Sequence, residues 1–380
     1  MKTLLITGGS GGHLIPALTL AEHLQSKGPC VILSTARPVD LTLAAASHVE
    51  WITVDLQKFT PLWRWFLPGY LFSQLGAMRR VRAVLRGTRP DVVVGFGGYL
   101  SAVGVTAARF SGVPTVVHEQ NLIPGKANRF LARIADAVGV SFSETKSHLP
   151  SGARVEVTGN PIRSTLKEMT AEEARNIFGF KADLPVLLIV GGSQGSEAIN
   201  RLVLRMWEDL PPEERRAVQV LHLAGEKSAA EVEQVYQRLG MNARVFGFFQ
   251  EMGAAYAAAS LAVSRAGATT ISEMAALQVP SVLIPYPYAG AHQLANARWL
   301  EARGGAVVLE ESGLTPRILW ERIDRLIGSP ERLAGMKTAL AAASDGATVQ
   351  RLEALVEQVV VRQAHHEREI VRPEHVEGRL

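Results

Sequence analysis

Four stretches combine glycine with residues that can handle an anion or a proton. The first is Gly8-Gly9-Ser10-Gly11-Gly12-His13. Glycine lets the backbone turn tightly and approach an anion, and a helix that follows offers free N–H groups and the positive end of its dipole. Leu14 stands where Gly-x-Gly-x-x-Gly needs its last glycine, so this is a poor dinucleotide fingerprint. A tight strand-to-helix turn without a ligand is the alternative. The second stretch is Gly95-Phe96-Gly97-Gly98-Tyr99, and the third is Gly191-Gly192-Ser193-Gln194-Gly195. Two such loops in the first half suggest two anionic groups there, or one long diphosphate. None ends in the Gly-Lys-Ser/Thr of a P-loop, which disfavours nucleotide hydrolysis.

The fourth stretch is Ser264-Arg265-Ala266-Gly267-Ala268-Thr269-Thr270-Ile271-Ser272-Glu273. Ala268 to Ser272 can bring backbone donors to a phosphate, and the Glu273 carboxylate can accept two hydrogen bonds from a ribose diol. The alternative makes Thr270 or Ser272 a helix N-cap, with Glu273 completing a capping box. No Asp-x-Asp occurs anywhere, so no metal bridging a diphosphate is expected, nor any other metal or cofactor.

These loops need strands and helices to hold them. Strand candidates in the first half are Thr3–Thr7, Cys30–Ser34, Val92–Gly95, Thr115–His118, Ala137–Val140 and Val155–Thr158. The second half restarts the pattern with Val186–Val190, Gln219–Leu223, Arg244–Phe246, Leu261–Ser264 and Ser281–Ile284. Continuous Val/Ile/Leu runs separated by helical stretches indicate parallel sheets covered on both faces. The expected fold is α/β, with two doubly wound domains facing across a cleft, the usual place for a ligand. Gly159-Asn160-Pro161 is the expected hinge.

Chain length agrees: 380 residues suit two domains. The one cysteine, Cys30, permits no intramolecular disulfide, which fits a reducing compartment. The apolar runs fall far short of the ~20 residues of a spanning helix. An N-terminal Met-Lys-Thr-Leu-Leu-Ile is broken by glycines too early for a signal peptide. Residues 1–160 carry 16 Lys+Arg against 9 Asp+Glu, and the remainder 24 against 27. A basic first half suits an anionic partner. Residues 363–380 are charged and aperiodic, so a disordered tail is expected, with His365-His366 a solvated pair rather than a metal site.

The ordered set of motifs resembles the MurG family over about residues 2–360. Besides the glycine loops it includes His118-Glu119-Gln120-Asn121, Gly159-Asn160-Pro161-Ile162-Arg163, Phe248-Phe249 with Met252, and His292-Gln293 with Asn296-Ala297. The resemblance implies the GT-B fold and an inverting N-acetylglucosaminyltransferase of peptidoglycan synthesis. Its donor would be UDP-N-acetylglucosamine, and its acceptor the C4 hydroxyl of lipid I, giving lipid II. It implies an acceptor-binding, membrane-facing domain over 1–160 and a UDP-sugar domain over 161–362, whose last helix packs back on the first.

By motif, Ser193 and Gln194 would face the diphosphate or uridine, Phe249 the uracil, and Ala268, Thr269, Thr270, Ile271 and Ser272 the phosphates. Glu273 would bind the ribose, Gln293 the sugar and Arg163 the phosphate region. Asn121 with Ser10, Gly11 and Gly12 would line the sugar side of the cleft. A single displacement needs a base. His13 is the first candidate, because imidazole titrates near neutral pH; Glu119 is the second, or an orienting group. Ser10 replaces a common threonine, Phe249 a common isoleucine or leucine, and His292 a glutamine found in some members.

Between Phe59 and Arg86, Trp63, Trp65, Phe66, Leu67, Tyr70, Leu71 and Phe72 precede Arg79, Arg80, Arg82 and Arg86. Such a segment suits an anionic membrane surface; a core helix with a basic outer face is the alternative. The expectation is a peripheral protein on the cytoplasmic face of a bacterial plasma membrane, working beside other cell-wall synthesis proteins and without nucleic acid. A relative acting on another lipid acceptor, such as diacylglycerol, is the competing enzyme. A nicotinamide oxidoreductase is disfavoured by the broken fingerprint. A catalytically silent sugar-nucleotide binder stays open.

Overall fold

The computed structural model describes residues 1–8, 11–54, 68–192, 195–288, 291–344 and 346–371, with backbone only at 39, 68–75 and 366–371. The chain divides into two compact units. The first holds Met1–Gln120, Pro124–Pro161 and the chain from Ala347 onward; the second holds Asn121–Ile123 and Ile162–Gly346.

In the first unit the strands are β1 (Thr3–Ile6), β2 (Cys30–Ser34), β3 (Glu50–Thr53), β4 (Val92–Gly95), β5 (Thr115–Glu119), β6 (Ala137–Val140) and β7 (Val155–Val157). The helices are α1 (Gly11–Leu24), α2 (Pro38–Ala46), α3 (Pro68–Thr88), α4 (Gly98–Phe110) and α5 (Lys126–Leu131). The sheet is parallel, in the order β3-β2-β1-β4-β5-β6-β7. Successive side chains of a strand point to opposite faces, and both faces here are apolar. Leu5, Ile32, Val94 and Val116 pack under α1, while Leu4, Ile6, Val31, Leu33, Val93 and Val117 pack under α3 and α4.

The second unit repeats the plan. Its strands are β8 (Val186–Val190), β9 (Gln219–Leu223), β10 (Ala243–Phe246), β11 (Leu261–Ser264), β12 (Ser281–Leu283) and β13 (Ala306–Val308), ordered β10-β9-β8-β11-β12-β13. Its helices are α6 (Ala171–Phe178), α7 (Glu197–Asp209), α8 (Pro212–Arg216), α9 (Ala229–Arg238), α10 (Met252–Ala258), α11 (Ala268–Ala276), α12 (His292–Ala302), α13 (Pro316–Ile327) and α14 (Pro330–Ala343).

The last helix, α15 (Thr348–Val371), returns to the first unit. Leu352, Leu355, Val356 and Val359 cover the same sheet face as α1. Glu353 forms an ion pair with Lys27 Nζ at 2.6 Å and accepts from His23 Nε2 at 3.0 Å. At the junction, Arg351 Nε donates to the Thr158 carbonyl at 3.2 Å, and a Cβ on Gly159 (φ 74°) would meet Thr348 Cγ2 at 2.5 Å.

Three expectations need correction. Residues 363–371, expected in a disordered tail, are helical, because α15 runs on to Val371; its Glu and Arg residues are good helix formers. Residues 372–380 lie outside the described residues. Asn121–Ile123 group with the second unit, not with the first 160 residues, through hydrogen bonds described below. β3 and β13 were not expected: β3 is an edge strand with an exposed Glu50 and Thr53, and β13 has only three residues after Gly304-Gly305.

Candidate functional site

In each sheet the strand order reverses between two neighbours, β1 with β4 and β8 with β11. The connections leaving those strands diverge to opposite faces and open a crevice at their carboxyl ends. All four glycine stretches sit at these two points. Ile6 is in register with Gly95, and Val190 with Ser264, so within each unit the paired loops start side by side.

In the first unit the two loops touch. Gly98 has φ 81°, and a Cβ on it would lie 2.3 Å from the Gly8 carbonyl oxygen. Gly97 has φ 101°, and its Cβ would lie 3.1 Å from His13 Cε1. These two glycines therefore serve close packing as well as any anion. Gly11, Gly12 and His13 form the first turn of α1; Ser10 lies outside the described residues. His13 Nδ1 is 2.7 Å from Gln120 Oε1. Glu119, buried on the opposite face of β5, accepts from the Gly125 amide and from Asn128 Nδ2, both at 3.0 Å. That gives Glu119 an orienting job on the loop that follows β5.

His118 is fully buried. Its Nε2 lies 2.9 Å from the Gly159 carbonyl, and its Nδ1 3.0 Å from Gln120 Nε2. Burial pulls its imidazole down to about 4, against the upward pull of the Gly159 bond.

In the second unit, α11 starts at Ala268 after an N-cap at Gly267 that offers no side chain. The expected alternative, a cap at Thr270 or Ser272, is not what forms: the Ser272 hydroxyl donates back to the Ala268 carbonyl at 2.8 Å. Glu273 falls in the second turn, too late for a capping box. It is buried and accepts from the Tyr256 hydroxyl at 2.9 Å. Burial pushes its carboxyl up to about 7, with the Tyr256 bond and the charge of Arg163 pulling the other way. Tyr256 is itself pushed well up, by burial first and by Glu273 next. Arg163 Nε is buried and has no hydrogen-bond partner among the described residues.

Gln293 Oε1 accepts from the Ala266 amide at 3.2 Å and from the Tyr286 amide at 2.9 Å. Asn296 is buried; its Nδ2 donates to the Ala266 carbonyl and to Asn121 Oδ1, both at 3.2 Å, while its Oδ1 accepts from the Leu122 amide at 3.0 Å. His292 Nδ1 donates to the Ile123 carbonyl at 2.8 Å. Asn121, Gln293 and the start of α11 are thus joined through Ala266. Phe249 belongs to an aromatic cluster, 4.6 Å from Phe246 and 5.8 Å from Phe178 between ring centroids. Ser193 and Gln194 lie outside the described residues.

Arg265, Asn296 and Gln120 were quoted within motifs but given no role of their own, and Tyr256 was not picked out from sequence. The buried Arg265 guanidinium donates to Glu311 Oε2 at 2.6 Å, to the Ile284 carbonyl at 3.1 Å and to Ser196 Oγ at 3.0 Å. It ties together the segments after β8, β11 and β12. An arginine directly after a buried strand was the available signal, since such a charge needs partners. Gln120 alternates with His118 at the end of β5, and that period of two was the clue to their shared side.

The expected membrane segment is only partly within reach. Trp63, Trp65, Phe66 and Leu67 lie outside the described residues, as do the side chains of Tyr70, Leu71 and Phe72. In the rest of α3, Ala77, Val81 and Leu85 are buried while Arg79, Arg80, Arg82 and Arg86 are exposed. That half is a core helix with a basic outer face.

Known proteins agree with this arrangement. The glycosyltransferase family 28 N-terminal domain matches residues 3–140, and the family 28 C-terminal domain matches residues 186–352. The UDP-N-acetylglucosamine--N-acetylmuramyl-(pentapeptide) pyrophosphoryl-undecaprenol N-acetylglucosamine transferase of Acetivibrio thermocellus is 33% identical, covering 96% of this chain and 100% of its own. The transferase of the same name from Anaeromyxobacter sp. is 38% identical, over 89% of this chain and 88% of its own. The crystal structure of Acinetobacter baumannii MurG superposes with a TM-score of 0.72 at 27% identity, over 94% of this chain and 99% of that one. A UDP-GlcNAc 2-epimerase from Neisseria meningitidis, at 16% identity and a TM-score of 0.66, shares the fold. With two GT-B type α/β units, both family domains in order and near-full-length relatives above 30% identity, the chain belongs to glycosyltransferase family 28 and, within it, to the MurG family.

Proposed function

We propose that this protein transfers N-acetylglucosamine from UDP-N-acetylglucosamine to the C4 hydroxyl of the N-acetylmuramoyl sugar of lipid I, inverting the anomeric carbon to give the β-1,4 link of lipid II. The observation that carries the reading is the pairing at the second switch point: a helix start with no side-chain cap, and a buried carboxylate one turn on. Backbone N–H groups at such a helix start suit a diphosphate, and the carboxylate suits a ribose diol.

On this reading Ala268 to Ser272, with Arg163, hold the diphosphate, and Ser193 and Gln194 face the diphosphate or uridine. Glu273 binds the ribose, Phe249 packs on the uracil and Gln293 meets the sugar. Asn121 and the Ser10–Gly12 loop bind on the sugar side. The acceptor oxygen forms its bond to the anomeric carbon as the bond to the diphosphate breaks. UDP leaves with the electron pair, and His13 takes the hydroxyl proton. Loop amides and Arg163 stabilise the departing charge.

The reading extends to a peripheral station on the cytoplasmic face of the plasma membrane. No described helix is long and apolar enough to cross a membrane. The exposed arginines of α3 favour anionic headgroups, at about 1 kcal/mol for each basic residue near the surface. Product analysis with UDP-N-acetylglucosamine and a lipid I analogue tests the activity: a β-1,4 disaccharide on the analogue is expected. Transfer to diacylglycerol instead, or no transfer to either, overturns it.

A further inference from the structure

Four groups in the first unit form one hydrogen-bonded line: the Gly159 carbonyl, His118, Gln120 and His13. Its polarity follows from what each atom can do. The Gly159 carbonyl only accepts, so His118 Nε2 carries the hydrogen. His118 is buried and neutral near pH 7, so its Nδ1 is an acceptor. It receives from Gln120 Nε2 at 3.0 Å. The same Nε2 lies 3.0 Å from the His118 carbonyl, a second obligate acceptor, which fixes which way the amide points. The oxygen of Gln120 is therefore the atom that faces His13 Nδ1 at 2.7 Å. An amide oxygen cannot donate, so His13 Nδ1 must.

We infer that Gln120, oriented by His118 and the Gly159 carbonyl, is a positioning residue that holds neutral His13 in its Nδ1–H tautomer and so keeps the ring's lone pair on Nε2. The inference rests on the reading of His13 as the base. When Nε2 takes a proton, Nδ1–H keeps its partner, and nothing in the line has to turn. The amide adds no negative charge beside the ring. This arrangement orients the imidazole as a carboxylate does in a hydrolase triad, but Gln120 supplies no counter-charge to the imidazolium.

The test uses protein labelled with 15N-histidine, at a pH where His13 is neutral. Long-range 1H–15N correlations distinguish the tautomers, and His13→Ala identifies the His13 signals. The wild type should show Nδ1–H at His13. Gln120→Leu should move His13 toward Nε2–H and lower kcat about tenfold or more, with the donor KM nearly unchanged. Gln120→Glu keeps an acceptor, so it should retain Nδ1–H. Its charge favours imidazolium, so the acid limb of its kcat/KM profile should move to higher pH. An Nε2–H tautomer at His13 in the wild type overturns the inference whatever His13 does in catalysis. So does a folded Gln120→Leu protein with unchanged tautomer and kcat. An Nδ1–H wild type whose His13→Ala variant turns over normally instead removes the base reading and, with it, any part for Gln120 in catalysis.

Discussion

The Tyr256 hydroxyl donates to the Glu273 carboxylate at 2.9 Å, and both residues are buried. If Glu273 binds the ribose as proposed, the pair links nucleotide affinity to stability. Burial lifts the Glu273 carboxyl from 4.5 to about 7, so between those pH values the folded protein binds a proton that the unfolded chain has released. The stabilisation is complete below pH 4.5 and is lost as pH rises through 7, at about 3 kcal/mol in all. Glu273→Gln should flatten that slope in nucleotide-free protein and be the more stable form at pH 8, as urea melts at pH 5 and 8 would reveal. The same variant should bind UDP about tenfold or more weakly, because a ribose diol loses a charged acceptor. Unchanged UDP affinity by calorimetry would remove Glu273 from the donor site.

His13→Ala should lower kcat by at least about 100-fold while the donor KM stays close to wild type. Thermal melting beside turnover decides the cause. A protein that melts normally but barely turns over has lost its base. A stable variant with near-normal kcat would pass the role to Glu119, whose carboxylate is already engaged by Gly125 and Asn128.

Two glycines with left-handed backbones separate strain from crowding. Gly98→Ala meets both a φ of 81° and the Gly8 oxygen at 2.3 Å, whereas Gly112→Ala meets a φ of 75° with nothing within 4 Å. The second should cost about 1–2 kcal/mol for the left-handed residue alone. The first should cost more, since crowding adds about 1–3 kcal/mol. It should also depress kcat by displacing the loop that precedes His13. Equal denaturation midpoints for the two variants would contradict the close approach.

Replacing Trp63, Trp65 and Phe66 together by serine should weaken co-sedimentation with anionic vesicles and leave UDP binding intact. Replacing Arg79, Arg82 and Arg86 by glutamine should weaken it too, and by less at high salt, where screening has already removed their contribution. Vesicle binding that survives both sets of changes would rule out these residues as the membrane contact.

Much of this was readable beforehand because it is local. A buried parallel strand is an unbroken apolar run, and a switch-point loop needs glycine, so β1, β4, β8 and β11 announce themselves with their loops. What escaped depends on partners distant in sequence. Glu273 reads equally well as a cap or a ligand until Tyr256 is brought beneath it. Asn121 reads as part of the first domain until Asn296 binds it. The charged end of α15 reads as a tail because composition alone does not register a helix continuing from a well-packed start. Gln120 was quoted within its motif but had no job until His118 and His13 were placed on either side of it.

The return of α15 sets an order on biosynthesis. The first 161 residues leave the ribosome early, yet the sheet face under Leu352, Leu355, Val356 and Val359 stays bare until the last helix is made. Nearly the whole second unit, an uninterrupted 162–346, can fold in the meantime. The half synthesised first is therefore the half finished last, and a nascent chain stalled before residue 347 would display an apolar surface that a chaperone could hold.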